Sequence, residues 1–299
     1  MKSCKQFVTY LQIEKNASPY TVRYYQNDLE TFFAFLEREG ITHLNDVDYR
    51  VVRVFLTELY DQQLSRTSIS RKLSSLRSFY RFLEREKMVT HNPFLRMTLP
   101  KANKPIPQFF YKEELDPLFE ISDLTDPLGQ RNQAILETLY ATGIRVSECQ
   151  SLTLDDIDFS IGSMFIRGKG KKERYVLFGQ FAEEALKRYI RDGREHLLSR
   201  SDEPTDVLFL NARGKPLTTR GIQHILKDMI KKAALNMHIH PHKLRHTFAT
   251  HMLNEGADLR TVQELLGHEN LSSTQIYTHV TKDYLRKVYM DSHPRSKGK

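Results

Sequence analysis

Hydrophobic side chains recur every three or four residues through most of the first hundred positions, which is the spacing of an amphipathic α-helix. One helix is predicted to begin at Pro19, because Ser18 is a good N-cap and proline suits the first helical position, and to end before Gly40. Two further helices are predicted near 51–64 and 68–87. The first third of the chain is therefore predicted to be helical.

The pattern changes in the rest of the chain. Helical spacing continues at first and returns later, which predicts helices at 112–121, 126–142, 146–152, 181–198, 219–233, 243–255, 258–266 and 273–289. Between them, two alternating runs at 164–166 and 175–178 flank a basic turn with two glycines, which is typical of a β-hairpin. The fold class is therefore predicted to be mainly α, with a small antiparallel β-sheet in the second part of the chain.

A segment rich in proline separates the two parts. Pro100, Pro105 and Pro107 cannot continue a helix and favour an extended linker. Because domains usually have roughly 100–200 residues, the 299 residues are expected to form two domains, at 1–98 and 109–299, joined by a linker at 99–108. The C-terminal tail at 291–299 is predicted to be mobile.

Composition excludes several classes of protein. With 39% hydrophobic and 27% charged residues, the chain is neither collagen-like nor wholly disordered. No apolar run approaches the roughly 18 residues of a membrane span, and the N-terminus lacks a signal-peptide core. Cys4 and Cys149 are far apart in sequence and are expected to be free thiols. We therefore expect a cytoplasmic protein with no membrane partner.

Positive charge is concentrated in the first third of the chain. The net charge is +8, and residues 1–104 contribute 17 basic against 11 acidic side chains, or +6. The segment 66–87 alone has seven basic and two acidic residues. Such a helix could bind a DNA backbone or could simply be solvated by its charges, and the pattern leaves both open. The candidate DNA contacts are Arg66, Arg71, Lys72, Arg77 and Arg81.

The second part of the chain has reactive side chains at helix starts and turns: Arg145, Glu148, Lys169, His242, Arg245, His268 and Tyr277. Two arginines can hold a phosphodiester and neutralise the charge of its transition state. A tyrosine hydroxyl becomes a useful nucleophile when cations stabilise its anion, and a lysine can protonate a leaving alkoxide. Taken singly, each residue is more simply explained as solvated, salt-bridged or packed in a core.

Metal and nucleotide chemistry are disfavoured by the same sequence. His240, His242 and His246 lie close together, but they lack the glutamate of a zinc HExxH motif. The carboxylates are dispersed rather than clustered as a magnesium site requires. No phosphate-binding GxxxxGK[ST] loop is present. We therefore expect no metal, no nucleoside triphosphate and no other cofactor.

In this order along the chain, the reactive residues resemble the active-site signature of the tyrosine recombinases, the phage integrase family. The resemblance covers essentially the whole chain, and it is greatest for the Xer subfamily, in particular its XerC branch. It implies a helical, SAM-like core-binding domain and a mostly α catalytic domain that together form a C-shaped DNA clamp. Its most specific segments are ATGIRVSE, GKGKKER, HPHKLRHTFATHML and LLGHENLSSTQIYTHV.

The resemblance also implies a role for each residue. Tyr277 matches the nucleophile that forms a 3′-phosphotyrosyl bond, and Lys169 matches the general acid for the 5′-oxygen. Arg145 and Arg245 match the arginines that hold the phosphate oxygens, with Glu148 supporting Arg145. Two histidines match the remaining positions: His242 assists proton transfer at the tyrosine, and His268 hydrogen-bonds the phosphate.

Partners and alternatives follow from the same resemblance. The expected partners are a double-stranded DNA recombination site and a second, XerD-like recombinase in a heterotetramer. The expected role is to resolve chromosome or plasmid dimers at cell division, at the nucleoid. Three alternatives stay open at this point: a phage or transposon integrase, an architectural DNA-binding protein without catalysis, and a metal-dependent nuclease.

Overall fold

A computed structural model of the protein describes residues 2–97, 109–168, 173–233, 241–267 and 282–297. The chain divides into two compact units, Met1–Pro105 and Ile106–Lys299. The whole predicted linker at 99–108 lies outside the described residues, so its extended conformation stays a prediction. Each unit has its own hydrophobic core.

The first unit is helical, as predicted. Ser18 caps its second helix, since Ser18 Oγ accepts a hydrogen bond from the Thr21 backbone N–H at 3.2 Å. Phe32 lies at the centre of the core and makes edge-on contacts with the rings of Phe55 and Phe94. The described helices are α1 (Lys2–Ile13), α2 (Pro19–Arg38), α3 (Tyr49–Asp61) and α4 (Arg66–Arg85).

The second unit is also mainly helical and contains the predicted hairpin. Three antiparallel strands lie in the order β1–β2–β3, and Phe165 pairs with Tyr175 at the centre of the hairpin. The strands are β1 (Ile157–Asp158), β2 (Ser163–Arg167) and β3 (Glu173–Leu177). Sequence reasoning missed β1 because two residues are too few to show a pattern. The predicted fold class is confirmed.

The second unit has nine described α-helices, several of which pack against one buried member. They are α5 (Lys112–Glu120), α6 (Pro127–Thr142), α7 (Val146–Gln150), α8 (Gln180–Arg188), α9 (Glu195–Leu198), α10 (Thr219–Lys232), α11 (Pro241–Asn254), α12 (Leu259–Leu266) and α13 (Lys282–Ser292). Nearly all of α6 is buried. The predicted single helix at 181–198 is divided by a π-helical turn at Tyr189–Arg194. Because α6 is central, the turn that follows it is held firmly in place.

The C-terminal tail is packed rather than mobile, so that prediction is wrong for residues 291–297. Arg295 Nε donates to a carboxylate oxygen of buried Glu137 at 3.0 Å, and its guanidinium lies between the rings of Phe119 and Phe181. The carbonyl of Ser296 accepts a hydrogen bond from the Gln180 backbone at 3.1 Å. The packing of the tail could not be predicted from local composition, because the buried carboxylate that Arg295 contacts is 158 residues away in sequence.

Within the part of the chain that the structure describes, no helix is both long and apolar enough to cross a membrane.

Candidate functional site

The site begins where α6 ends. Gly143 adopts a left-handed conformation with φ of +60°, and Arg145 then caps the first turn of α7. The Arg145 backbone N–H donates to Glu148 Oε2 at 2.8 Å, and its guanidinium Nη1 donates to Oε1 at 2.9 Å. The Arg145 side chain is 39% exposed. One carboxylate therefore orients a guanidinium that still faces solvent.

The second arginine reaches the same turn from α11. Arg245 Nη1 donates to the carbonyl of Gly143 and Nη2 to that of Leu266, both at 2.6 Å. Burial lowers the pKa of Arg245 to about 10, helped by the positive charges of Arg145 and Arg174 and opposed by Glu148. Arg245 remains a cation at neutral pH, since that pKa is still well above 7.

His242 lies one helical turn before Arg245, in the first turn of α11, and is exposed. Lys169, His268 and Tyr277 lie outside the described residues, as does His240. Of the seven reactive residues singled out from the sequence, the structure brings Arg145, Glu148 and Arg245 together. It places His242 on the helix of Arg245.

Sequence reasoning missed a fourth member of this cluster. Arg174, on β3, donates from Nη1 and Nη2 to the two carboxylate oxygens of Glu148 at 3.1 and 3.0 Å. Arg174 belongs to the motif GKGKKER, but of that motif only Lys169 was singled out. The motif was the available signal. Its partner could not be inferred because Glu148 is 26 residues away.

The cluster carries a net positive charge. Burial raises the pKa of Glu148, but hydrogen bonds from Arg174 and from the backbone and side chain of Arg145 outweigh it, so the pKa is lowered. Glu148 is therefore ionised at neutral pH. Three guanidinium groups against one carboxylate leave an excess of two positive charges, which suits a phosphate group.

The candidate DNA contacts of α4 have different surroundings in the structure. Arg66 and Arg81 are exposed. Arg71 and Lys72 both pair with Asp28, whose side chain is fully buried. Arg77 donates to the backbone carbonyls of Phe94 at 3.1 Å and Met97 at 2.8 Å. Arg66 and Arg81 are thus available for a ligand. The side chains of Arg71, Lys72 and Arg77 have contacts within the unit.

Two family models match the sequence. The one described as the phage integrase family matches residues 108–283, and the one described as the phage integrase N-terminal SAM-like domain matches residues 4–87. The chain belongs to the phage integrase family. The family resemblance drawn from the motifs is confirmed.

Individual relatives show which recombinases within the phage integrase family this chain is most similar to among those compared. The tyrosine recombinase XerC of Oceanobacillus iheyensis is 66% identical, over 98% of this chain and 96% of its own length. XerC of Bacillus subtilis is 58% identical, over 98% and 96%. The crystal structure of the XerH site-specific recombinase bound to its difH substrate is 25% identical, covers 95% of this chain and 83% of that one, and gives a TM-score of 0.68. The chain is thus a site-specific tyrosine recombinase, similar to XerC over nearly its whole length.

Proposed function

We propose that this recombinase cuts and rejoins DNA at a specific site through a covalent bond between Tyr277 and a 3′-phosphate. The observation that carries the proposal is the pair of arginines held at the end of α6, Arg145 by Glu148 and Arg245 by two backbone carbonyls. Fixed guanidinium groups stabilise the charge that develops on a phosphate under attack.

In the proposed reaction, the phosphoryl group of the DNA is transferred from the 5′-oxygen to the phenolic oxygen of Tyr277. The phenolic oxygen of Tyr277 attacks the phosphorus, with His242 assisting removal of its proton. The 5′-oxygen leaves and takes a proton from Lys169. Arg145 and Arg245 hold the non-bridging oxygens, and a hydrogen bond from His268 supports the phosphate. The new phosphotyrosine retains the energy of the phosphodiester, so a 5′-hydroxyl can reverse the step without ATP.

The biological substrate is proposed from the relatives. XerC proteins are this chain's relatives, and the XerH structure contains a recombination-site DNA. We propose that the chain binds such a site in double-stranded DNA and resolves chromosome or plasmid dimers at cell division. A second, XerD-like recombinase would complete a heterotetramer on two sites. We propose that this chain is located in the cytoplasm, at the nucleoid, because the chromosomal recombination sites are there.

The test is a nicked suicide substrate, in which loss of a short strand traps the covalent intermediate. The wild-type chain is expected to form a protein–DNA adduct, whereas Tyr277→Phe should bind the same DNA without forming one. Tyr284→Phe, which alters an exposed tyrosine of α13, is the matched control. An adduct with Tyr277→Phe would contradict the assignment of the nucleophile.

Two further arms of this experiment test the remaining parts of the proposal. Adduct formation should be unchanged in EDTA, and a requirement for magnesium would contradict the metal-independent mechanism. Full strand exchange between candidate sites should need a second recombinase. Exchange by this chain alone would contradict the heterotetramer.

A further inference from the structure

We propose that Arg174 is a positioning residue for strand cleavage, acting through Glu148 on the orientation of Arg145. This inference rests on the proposed function, because it concerns the same site. Arg174 is placed away from solvent, with 16% of its side chain exposed, and it points at the carboxylate that orients Arg145. The proposal assigns it no contact with DNA.

The first argument is how Glu148 is shared. Its Oε1 accepts from Nη1 of both Arg145 and Arg174, and its Oε2 accepts from the Arg145 backbone and from Nη2 of Arg174. The planar fork of Arg174 matches the planar carboxylate and fixes its rotation. Arg145 is therefore oriented by the Glu148 carboxylate, whose own orientation is fixed by Arg174.

The second argument is the path that Arg174 takes to reach Glu148. Its Nε approaches the carbonyl of Leu265 at 3.4 Å, at the end of α12. A Cβ added to Gly267 would lie 3.0 Å from Arg174 Cδ and 3.1 Å from Nε. The absence of a side chain at Gly267 thus leaves the space in which Arg174 lies. Arg174 connects the start of β3, the end of α12 and the start of α7.

The third argument concerns charge. Glu148 is buried, and burial alone would raise its pKa. The hydrogen bond from Arg174 is the largest effect that opposes burial. Removing the Arg174 cation should therefore make Glu148 easier to protonate, and a protonated Glu148 would hold Arg145 less firmly. As the pH is lowered, the variant should therefore lose cleavage activity at a higher pH than the wild type does.

The experiment measures single-turnover adduct formation on the suicide substrate at saturating DNA, with the full chain, for Arg174→Gln and Arg174→Lys. Displacement of a catalytic group by about 1 Å can cost about 100-fold in rate. We expect Arg174→Gln to lose about that much, with DNA affinity within about threefold of wild type and an acid limb shifted to higher pH. Lysine should rescue only partly, since it lacks the fork.

Arg194→Gln is the matched control. Arg194 is also a buried arginine of this unit, 5% exposed, and it donates to the backbone carbonyls of Thr205 and Val207. This variant should lose stability without a shifted acid limb. An Arg174→Gln profile of the same shape as that of Arg194→Gln would show a merely structural role and overturn the proposal.

Two additional measurements identify what Arg174 acts on. A substrate with sulfur in place of the bridging 5′-oxygen has a leaving group that needs no proton. It should restore cleavage by Lys169→Ala but not by Arg174→Gln, and restoration of both would mean that Arg174 acts on the general acid instead. The double variant Arg174→Gln/Glu148→Gln should be little slower than the slower single variant, because both changes act on one path. Fully additive losses would overturn the proposal.

The design remains decisive if Arg174→Gln does not fold. Gly267→Ala crowds Arg174 while retaining it and should lower the cleavage rate more than Gly256→Ala. The glycine in that control also has a positive φ, but an added Cβ has nothing within 4 Å. Equal rates for these two variants would overturn the proposal. Absence of an adduct with the wild type would instead refute the proposed function, so the two failures are distinguishable.

Discussion

Arg245 donates a hydrogen bond of 2.6 Å to the backbone carbonyl of Gly143, which lies 102 residues earlier in the chain. Gly143 ends α6, and Arg145 follows it by two residues. The two arginines of the site are therefore placed relative to each other by a backbone carbonyl rather than by a flexible side chain. The carbonyl of Leu266 fixes the other end of the same guanidinium. This arrangement holds two like charges in place against their mutual repulsion.

Replacing Arg245 with lysine should therefore reduce cleavage even though the charge is retained. A lysine ammonium cannot donate to two carbonyls and to a phosphate in the geometry of the guanidinium fork. We expect adduct formation to fall by about 100-fold or more, as for loss of a fixed transition-state donor. Single-turnover rates at saturating DNA measure this change. Arg260→Lys, at an exposed position of α12, is the control. A rate within about threefold of wild type for Arg245→Lys would contradict the prediction.

Gly143→Ala should destabilise the second unit more than Gly256→Ala does. Both glycines have positive φ, so both changes introduce backbone strain of about 1–2 kcal/mol. At Gly143 the new Cβ would also lie 2.7 Å from side-chain atoms of Leu266 and Phe248. Such crowding typically costs about 1–3 kcal/mol. The free energy of unfolding from urea titration should show this difference, and equal losses would contradict it.

Arg81 and Arg77 should behave differently although both are on α4. Arg81 is exposed, so Arg81→Ala should weaken DNA binding and reduce the slope of log affinity against log salt by about 1, with stability unchanged. Arg77 donates to the carbonyls of Phe94 and Met97, so Arg77→Ala should cost about 2 kcal/mol of stability. Salt-dependent binding and urea unfolding separate the two effects. A stable Arg77→Ala with weak DNA binding would reverse these assignments.

His293 should make the second unit less stable in acid. Burial lowers the pKa of His293 to about 3, assisted by the positive charges of His251 and Arg295 and opposed by a hydrogen bond to the Tyr140 carbonyl. The unfolded chain takes up a proton below about pH 6.5, whereas the folded protein does so only near pH 3. Stability is therefore full above pH 6.5 and declines as pH falls, by about 2 kcal/mol at pH 5.

The control for this prediction is His293→Asn, which removes the titration and retains a polar side chain. The fall in unfolding free energy between pH 8 and pH 5 should be smaller in this variant by about 2 kcal/mol. His251, whose pKa is also lowered by burial, is present in both proteins, so the difference between them reports mainly the titration of His293. An equal fall in the two proteins would contradict the prediction.

Local pattern was sufficient for most of the secondary structure. The start of α2 follows from Ser18 and Pro19, and the hairpin follows from alternation on both sides of a glycine-containing turn. These signals act over a few residues, so they can be read without knowledge of the fold. The motif order was equally informative about the family, because several short segments had to occur in one sequence.

Only the tertiary structure showed how these pieces constrain one another. Arg71 and Arg295 looked like solvent-exposed cations, yet each pairs with a buried carboxylate, Asp28 and Glu137, that is 43 and 158 residues away. The same is true of Arg174, whose role depends on Glu148. Short-range periodicity shows that a residue is charged or that a helix begins. Which charge meets which depends on long-range packing, where burial makes a distant partner necessary.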